Sequence, residues 1–178
     1  MVDLYEIQAA YYMVAATGVL VAAVFYILNL RETTKNRRIA LTSTLLQPFM
    51  TKEGVRDYNQ LISMKWTDLD DYKRKYDADV NPENYVLRFS IWNMMDNLGK
   101  LYREGLIDLE TLHSGSAGAY QWLWLKFKPV IEMYRGTDYG RYYLENFEYA
   151  AGKLEEFERG RYGVDGTEIA AARRVLSR

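Results

Sequence analysis

The chain of 178 residues contains no cysteine, a single histidine and only three prolines. The missing thiols exclude disulfides, thiolate metal centres and a cysteine nucleophile. With His113 as the only imidazole, a transition-metal site would consist almost wholly of carboxylates, which is unusual chemistry for such ions. Strand-like alternating runs are missing too, and with so few prolines the apolar stripes read as an all-α protein. Charge of either sign is not in surplus: 23 Lys+Arg stand against 24 Asp+Glu, a net charge of −1. A nucleic-acid-binding domain would show a basic excess, so no nucleic-acid partner is expected.

What the chain does have is one long uncharged run, Ile7 to Leu30, reading IQAAYYMVAATGVLVAAVFYILNL. As a helix it is about 36 Å long, enough to cross a bilayer core of roughly 30 Å with some tilt. Asp3 and Glu6 precede it, and Arg31, Lys35, Arg37 and Arg38 follow. That charge step places the N-terminus outside and the rest in the cytoplasm of a cell membrane. A cleaved signal would carry a basic leader and a shorter apolar core, so the flanks favour an uncleaved single-pass anchor. Within the run, Ala15, Gly18 and Ala22 share one face and form a small-residue stripe suited to close helix packing. No ionisable side chain interrupts the span, so it offers no ion path or proton relay. The four bases after it would attract anionic headgroups.

The reading of the whole chain is therefore a short extracytoplasmic segment 1–6, a transmembrane helix 7–30, a juxtamembrane helix 31–50, a compact cytoplasmic helical bundle 51–160 and a tail 161–178. Pro48 should break the juxtamembrane helix. Thr51 opens a stripe of Val55, Tyr58, Leu61, Ile62 and Trp66, and Thr67 with Asp70 forms a capping box for a short helix. Asn81-Pro82 starts the clearest helix, whose inward face reads Tyr85, Phe89, Trp92, Met94 or Met95, Leu98 and Leu101 or Tyr102; Gly105 ends it. Asp108 caps a short turn through Leu112, and His113 to Ser116 reads as a loop. A further helix carries Tyr120, Leu123, Trp124, Phe127, Ile131 and Tyr134, with a kink at Pro129 and a stop at Gly136. The last follows Asp138, buries Tyr143, Leu144, Phe147, Ala151, Leu154 and Phe157, and ends at Gly160. The tail carries Arg173, Arg174 and Arg178, a possible second contact for a membrane or partner.

The stretch VLRFSIWNMMDNLGKLYREGLIDLETL, from Val86 to Leu112, carries the pieces Leu98-Gly99-x-Leu101 and Gly105-Leu106-Ile107-Asp108. Together with Trp124 to Ile131 and the single N-terminal span, it resembles a prokaryotic single-pass membrane family, domain of unknown function four thousand seven hundred and sixty. The likeness covers about Ala40 to Phe157. It implies an anchored helical domain and carries over no reaction, cofactor or catalytic residue.

No catalytic, cofactor-binding or metal-ligating residue can be assigned from the residues themselves. His113 reads as a surface histidine, since a neighbouring Ser114 is not evidence of a triad. Asp77, Asp79 and Asn81 have the spacing that opens a calcium loop, but Pro82 stands where glycine is needed and Arg88 where the closing carboxylate belongs. Aromatic side chains make up 15% of the chain, with 16 tyrosines. Most lie on inward stripes and read as core; Trp122 lies at the margin of its stripe and is the candidate partner contact. Two functions stay open. One is a non-enzymatic interaction module, a scaffold or accessory subunit bound to another membrane protein or to its own copies. The other is a small enzyme or ligand sensor with Arg88, Asp96, Glu104 and His113 converging in one pocket.

Overall fold

The computed structural model describes residues 4–116, 118–137 and 139–163. The chain divides into two compact units, Met1–Ala40 and Leu41–Arg178. All regular structure among the described residues is helical. The first helix, α1 (Leu4–Met50), supplies the whole of the described first unit and the opening turns of the second. Apolar side chains of the first unit, Leu20, Val24, Phe25 and Ile27 among them, are exposed. The stretch Leu4–Thr44 is long and apolar enough to cross a membrane. The Thr17 hydroxyl in mid-run is satisfied within the helix, its Oγ1 donating to the Met13 carbonyl at 2.8 Å, as an apolar medium would require.

The second unit begins with the end of α1. Pro48 does not break that helix as the sequence predicts; the break falls at Thr51, whose hydroxyl accepts from the Gly54 N–H at 3.0 Å and caps α2 (Lys52–Ser63). Thr42 and Leu46 are buried before the break, and Leu46 sits where Gly115 has no side chain: a Cβ there would come within 2.5 Å of Leu46 Cδ1. Of the α2 stripe only Leu61 is fully buried, whereas Val55 is exposed. The cap of α3 (Leu69–Tyr76) lies one residue later than expected, with Asp68 accepting from the Asp71 N–H at 2.8 Å and Asp71 accepting from the Thr67 N–H at 3.1 Å.

Helix α4 (Pro82–Arg103) starts at Asn81-Pro82 and stops before Gly105, which takes a left-handed φ of +71°. Its inward face is rotated from the predicted one: Asn84, Arg88, Ile91, Trp92, Met95, Leu98 and Gly99 are buried, while Phe89 is exposed. Asp108 caps α5 (Leu109–Ser116) through the Thr111 N–H at 2.7 Å, and this helix takes in the residues expected as a loop, His113 to Ser116. The next, α6 (Ala119–Arg135), runs through Pro129 to its cap at Gly136. The last, α7 (Glu145–Tyr162), begins after Leu144 and runs two residues past Gly160. The tail beyond residue 163 lies outside the described residues.

Helix α4 is the hub, packing against α7 along much of its length and also meeting α2, α3 and α5, while α6 packs on α7 and α3. Aromatic rings fill the space between them: Trp92 meets Phe127 edge-on at 5.2 Å, Trp66 stacks on Phe127 at 5.5 Å, and Phe147 receives Tyr120 and Trp124 at 4.8 and 5.3 Å. Such contacts add about 0.5–1.5 kcal/mol per pair beyond the area they bury.

Candidate functional site

The four polar residues offered as a pocket do not meet; each is engaged by a different neighbour. Asp96 accepts from the Asn146 and Phe147 backbone N–H groups, both at 2.9 Å, at the start of α7. Glu104 pairs with Lys100 at 3.9 Å on the surface. His113 lies 3.2 Å from Glu158 and packs on Phe157. Among the described residues no group of acids and histidine is placed to hold a metal ion. In the calcium-like stretch, Asn81 spends its side chain on the Asn84 N–H and Asp77 accepts from the Tyr134 hydroxyl at 2.9 Å.

Arg88 is the side chain whose position the sequence did not reveal. It is 2% exposed and sits among aromatic rings. Its Nη1 donates to the hydroxyls of Tyr72 and Tyr134, at 2.5 and 2.8 Å, and its guanidinium lies 4.9–5.5 Å from the ring centres of Tyr72, Tyr85, Trp92 and Tyr134. Ring faces carry negative potential and offset the lost hydration of the cation. Asp77, partly exposed, stands 3.8 Å from Nη2, an ion pair beyond hydrogen-bond range. Burial pushes the Tyr134 phenol up to about 12, with Asp77 reinforcing the rise and Arg88 opposing it; burial likewise raises Tyr72 above its ordinary value. Two N–H donors in this region, Arg88 Nε and Trp92 Nε1, are buried with no acceptor among the described residues. An unpaired buried donor costs about 1–3 kcal/mol.

A second feature is open to solvent. Between α2 and α4 runs a groove of about 430 Å³ lined by Gly54, Asp57, Gln60, Glu83, Val86, Leu87, Ser90, Ile91 and Met94. Val86 is 63% exposed. Asp57 is 3.6 Å from Arg56, an exposed pair of the kind that adds little stability. Val86, Leu87, Ile91 and Met94 give the groove an apolar strip, Gln60 and Ser90 are polar, and the charged lining residues Asp57 and Glu83 are both acidic. The sequence pattern puts the inward face of α4 on Tyr85, Phe89, Trp92, Met94 or Met95 and Leu98, and gives Val86, Leu87 and Ile91 no role.

The remaining sequence candidates fall elsewhere. Trp122 is only partly buried, unlike Tyr120, Leu123, Trp124 and Phe127 on the same helix, which are buried. Ala15, Gly18 and Ala22 lie on α1, and a Cβ on Gly18 would meet nothing within 4 Å. Arg31, Lys35, Arg37 and Arg38 are exposed along the same helix.

A helical domain that follows a long apolar helix defines the class of protein. The chain belongs to the family described as Domain of unknown function (DUF4760), which matches residues 13–154. That match takes in most of the apolar run, from Met13 onward, and the helices of the α4–α7 packing. No curated protein and no solved structure matches the chain.

Proposed function

We propose that the chain is a membrane-anchored, non-enzymatic interaction module, a scaffold or accessory subunit of a membrane complex. In this reading α1 spans the cell membrane with its N-terminus outside, and the helical domain works in the cytoplasm. The basic cluster Arg31, Lys35, Arg37 and Arg38 supports that orientation and adds about 1 kcal/mol per base against an anionic leaflet. The Ala15–Gly18–Ala22 face supplies a lateral contact to another membrane protein or a second copy.

The observation that carries the reading is the α2–α4 groove. Its apolar wall of Val86, Leu87, Ile91 and Met94 is flanked by Asp57 and Glu83. This pattern suits an amphipathic partner helix that sets apolar anchors into the groove and places Lys or Arg beside the acids. An open, partly apolar lining of this kind supports recognition of a partner surface.

The test is a photoreactive residue at Val86 in the full-length chain in native membranes, with one at exposed Lys128 as control. Adducts at Val86 to a basic amphipathic segment, abolished by the charge reversals Asp57→Lys and Glu83→Lys, are the expected result. No adduct at Val86, or the same adducts from both positions, would overturn the reading.

A further inference from the structure

Arg88 and Trp92 stand one turn apart on α4 and line one closed seam with Tyr85, Tyr134, Tyr139 and Tyr143. Among the described residues Arg88 Nε and Trp92 Nε1 are both buried and without an acceptor, and both residues are at most 2% exposed. The seam is too narrow to admit a water molecule. Solvent therefore cannot satisfy these donors while the seam is shut.

One wall of the seam is exposed to solvent. Tyr139 is 38% exposed and lies between α6 and α7, outside either helix. Its ring stacks on Tyr143 with centres 4.4 Å apart, and its hydroxyl shares an exposed hydrogen bond of 3.1 Å with Tyr85. Swinging Tyr139 outward gives up the stack on Tyr143, an edge contact of 5.6 Å with Tyr134 and one solvent-exposed bond, and water can replace the last. It leaves the Tyr143 ring face beside the space that Arg88 and Trp92 line, the two residues that carry the unpaired donors.

We propose that this seam is the closed state of a binding site for a small aromatic carboxylate, whose ring takes the place of Tyr139 against Tyr143 and whose carboxylate accepts from Arg88 Nε and Trp92 Nε1. The chemistry selects on both ends of the ligand. An aromatic cation meets the Arg88 charge, and an aliphatic anion lacks the flat face that Tyr143 stacks on. The site is separate from the α2–α4 groove, and the inference does not depend on the interaction reading.

Benzoate is the probe, titrated by calorimetry into the full-length chain in detergent, with benzylammonium and acetate as controls. The wild type should bind benzoate saturably and neither control to the same extent. Trp92→Phe keeps the ring and removes one donor, so affinity should fall about tenfold, the factor that about 1.4 kcal/mol represents. Tyr139→Ala removes the occupant from an exposed position and should strengthen binding severalfold even if Trp92→Phe fails to fold. Failure of benzoate to bind both the wild type and Tyr139→Ala would overturn the site. So would equal affinity in wild type and a folded Trp92→Phe, or binding of benzylammonium as tight as that of benzoate.

Discussion

Asp96 on α4 caps the start of α7 through Asn146, fifty positions along the chain. Its Oδ1 accepts from the Asn146 N–H at 2.9 Å and its Oδ2 from the Asn146 side-chain amide at 3.1 Å, while the Phe147 N–H also reaches Oδ1 at 2.9 Å. Helix α7 needs this because its own cap position is Leu144, at a left-handed φ of 57° and with no side-chain acceptor. The first turn of any helix leaves N–H groups unpaired, and an acidic acceptor there also meets the positive end of the helix dipole. Gly99 permits the approach: a Cβ at that position would run into the Asn146 carbonyl and lie 2.7 Å from the Tyr120 hydroxyl.

Asp96→Ala should therefore lower the stability of the full chain by about 2–3 kcal/mol, the sum expected for a lost cap and its charge-assisted bonds. Asp96→Asn keeps an acceptor and should lose less. Gly99→Ala should also destabilise, by about 1–3 kcal/mol, as overpacking usually does. Urea unfolding in detergent followed by tryptophan fluorescence measures all three. An unchanged midpoint for Asp96→Ala would show that α7 is held by packing alone.

The buried phenols set an alkaline limit. Burial pushes both Tyr58 and Tyr134 up to about 12, whereas phenols of an unfolded chain ionise near 10. A raised folded value means that the folded state holds its protons longer than the unfolded state does. Stability from these groups is fully present below about pH 10 and is lost as the pH rises through about 12. Unfolding midpoints measured between pH 8 and 12 should stay level and then fall. A level profile throughout would mean that these hydroxyls reach solvent.

Part of the second unit is legible in the sequence where a helix is closed by residues within a few positions of one another. Asn81-Pro82 with Asn84, Gly105, and Asp108 with Thr111 are such cases, and all stand where the sequence places them. What escaped depends on distant partners. Arg88 reads as a solvated charge until Tyr72 and Tyr134, sixteen and forty-six positions away, bring their hydroxyls to it. Once that arginine is inside, the α4 face turns and Phe89 moves outward. His113 to Ser116 read as a loop from its Ser-Gly-Ser composition; in the fold, Leu112 is buried and Gly115 makes room for Leu46, so the helix continues. The start of α7 was missed because its acceptor, Asp96, belongs to another helix. Asp96 looked like a pocket residue for the same reason.

The small-residue face of α1 gives a separate prediction. Replacing Gly18 with Leu keeps the run apolar and adds bulk beside Ala15 and Ala22. In lipid, helices associate by close van der Waals contact, so the bulk should release a neighbouring helix. Co-purification of partners with Gly18→Leu should drop relative to wild type while membrane recovery and the thermal midpoint stay unchanged. Equal recovery of every partner would show that the helix is a tether only.

The reading as a whole stands on α1 crossing the membrane with the groove on the cytoplasmic side. Because the chain has no cysteine of its own, single introduced thiols report topology without background. Asp3→Cys and Lys128→Cys, each in the full chain, are treated in intact cells with a membrane-impermeant thiol reagent, and again after permeabilisation. The account predicts labelling of the Asp3 variant in intact cells and of the Lys128 variant only after permeabilisation, with the first residues retained in the mature chain. Labelling of the Lys128 variant in intact cells, or loss of the apolar run from the mature protein, would contradict it.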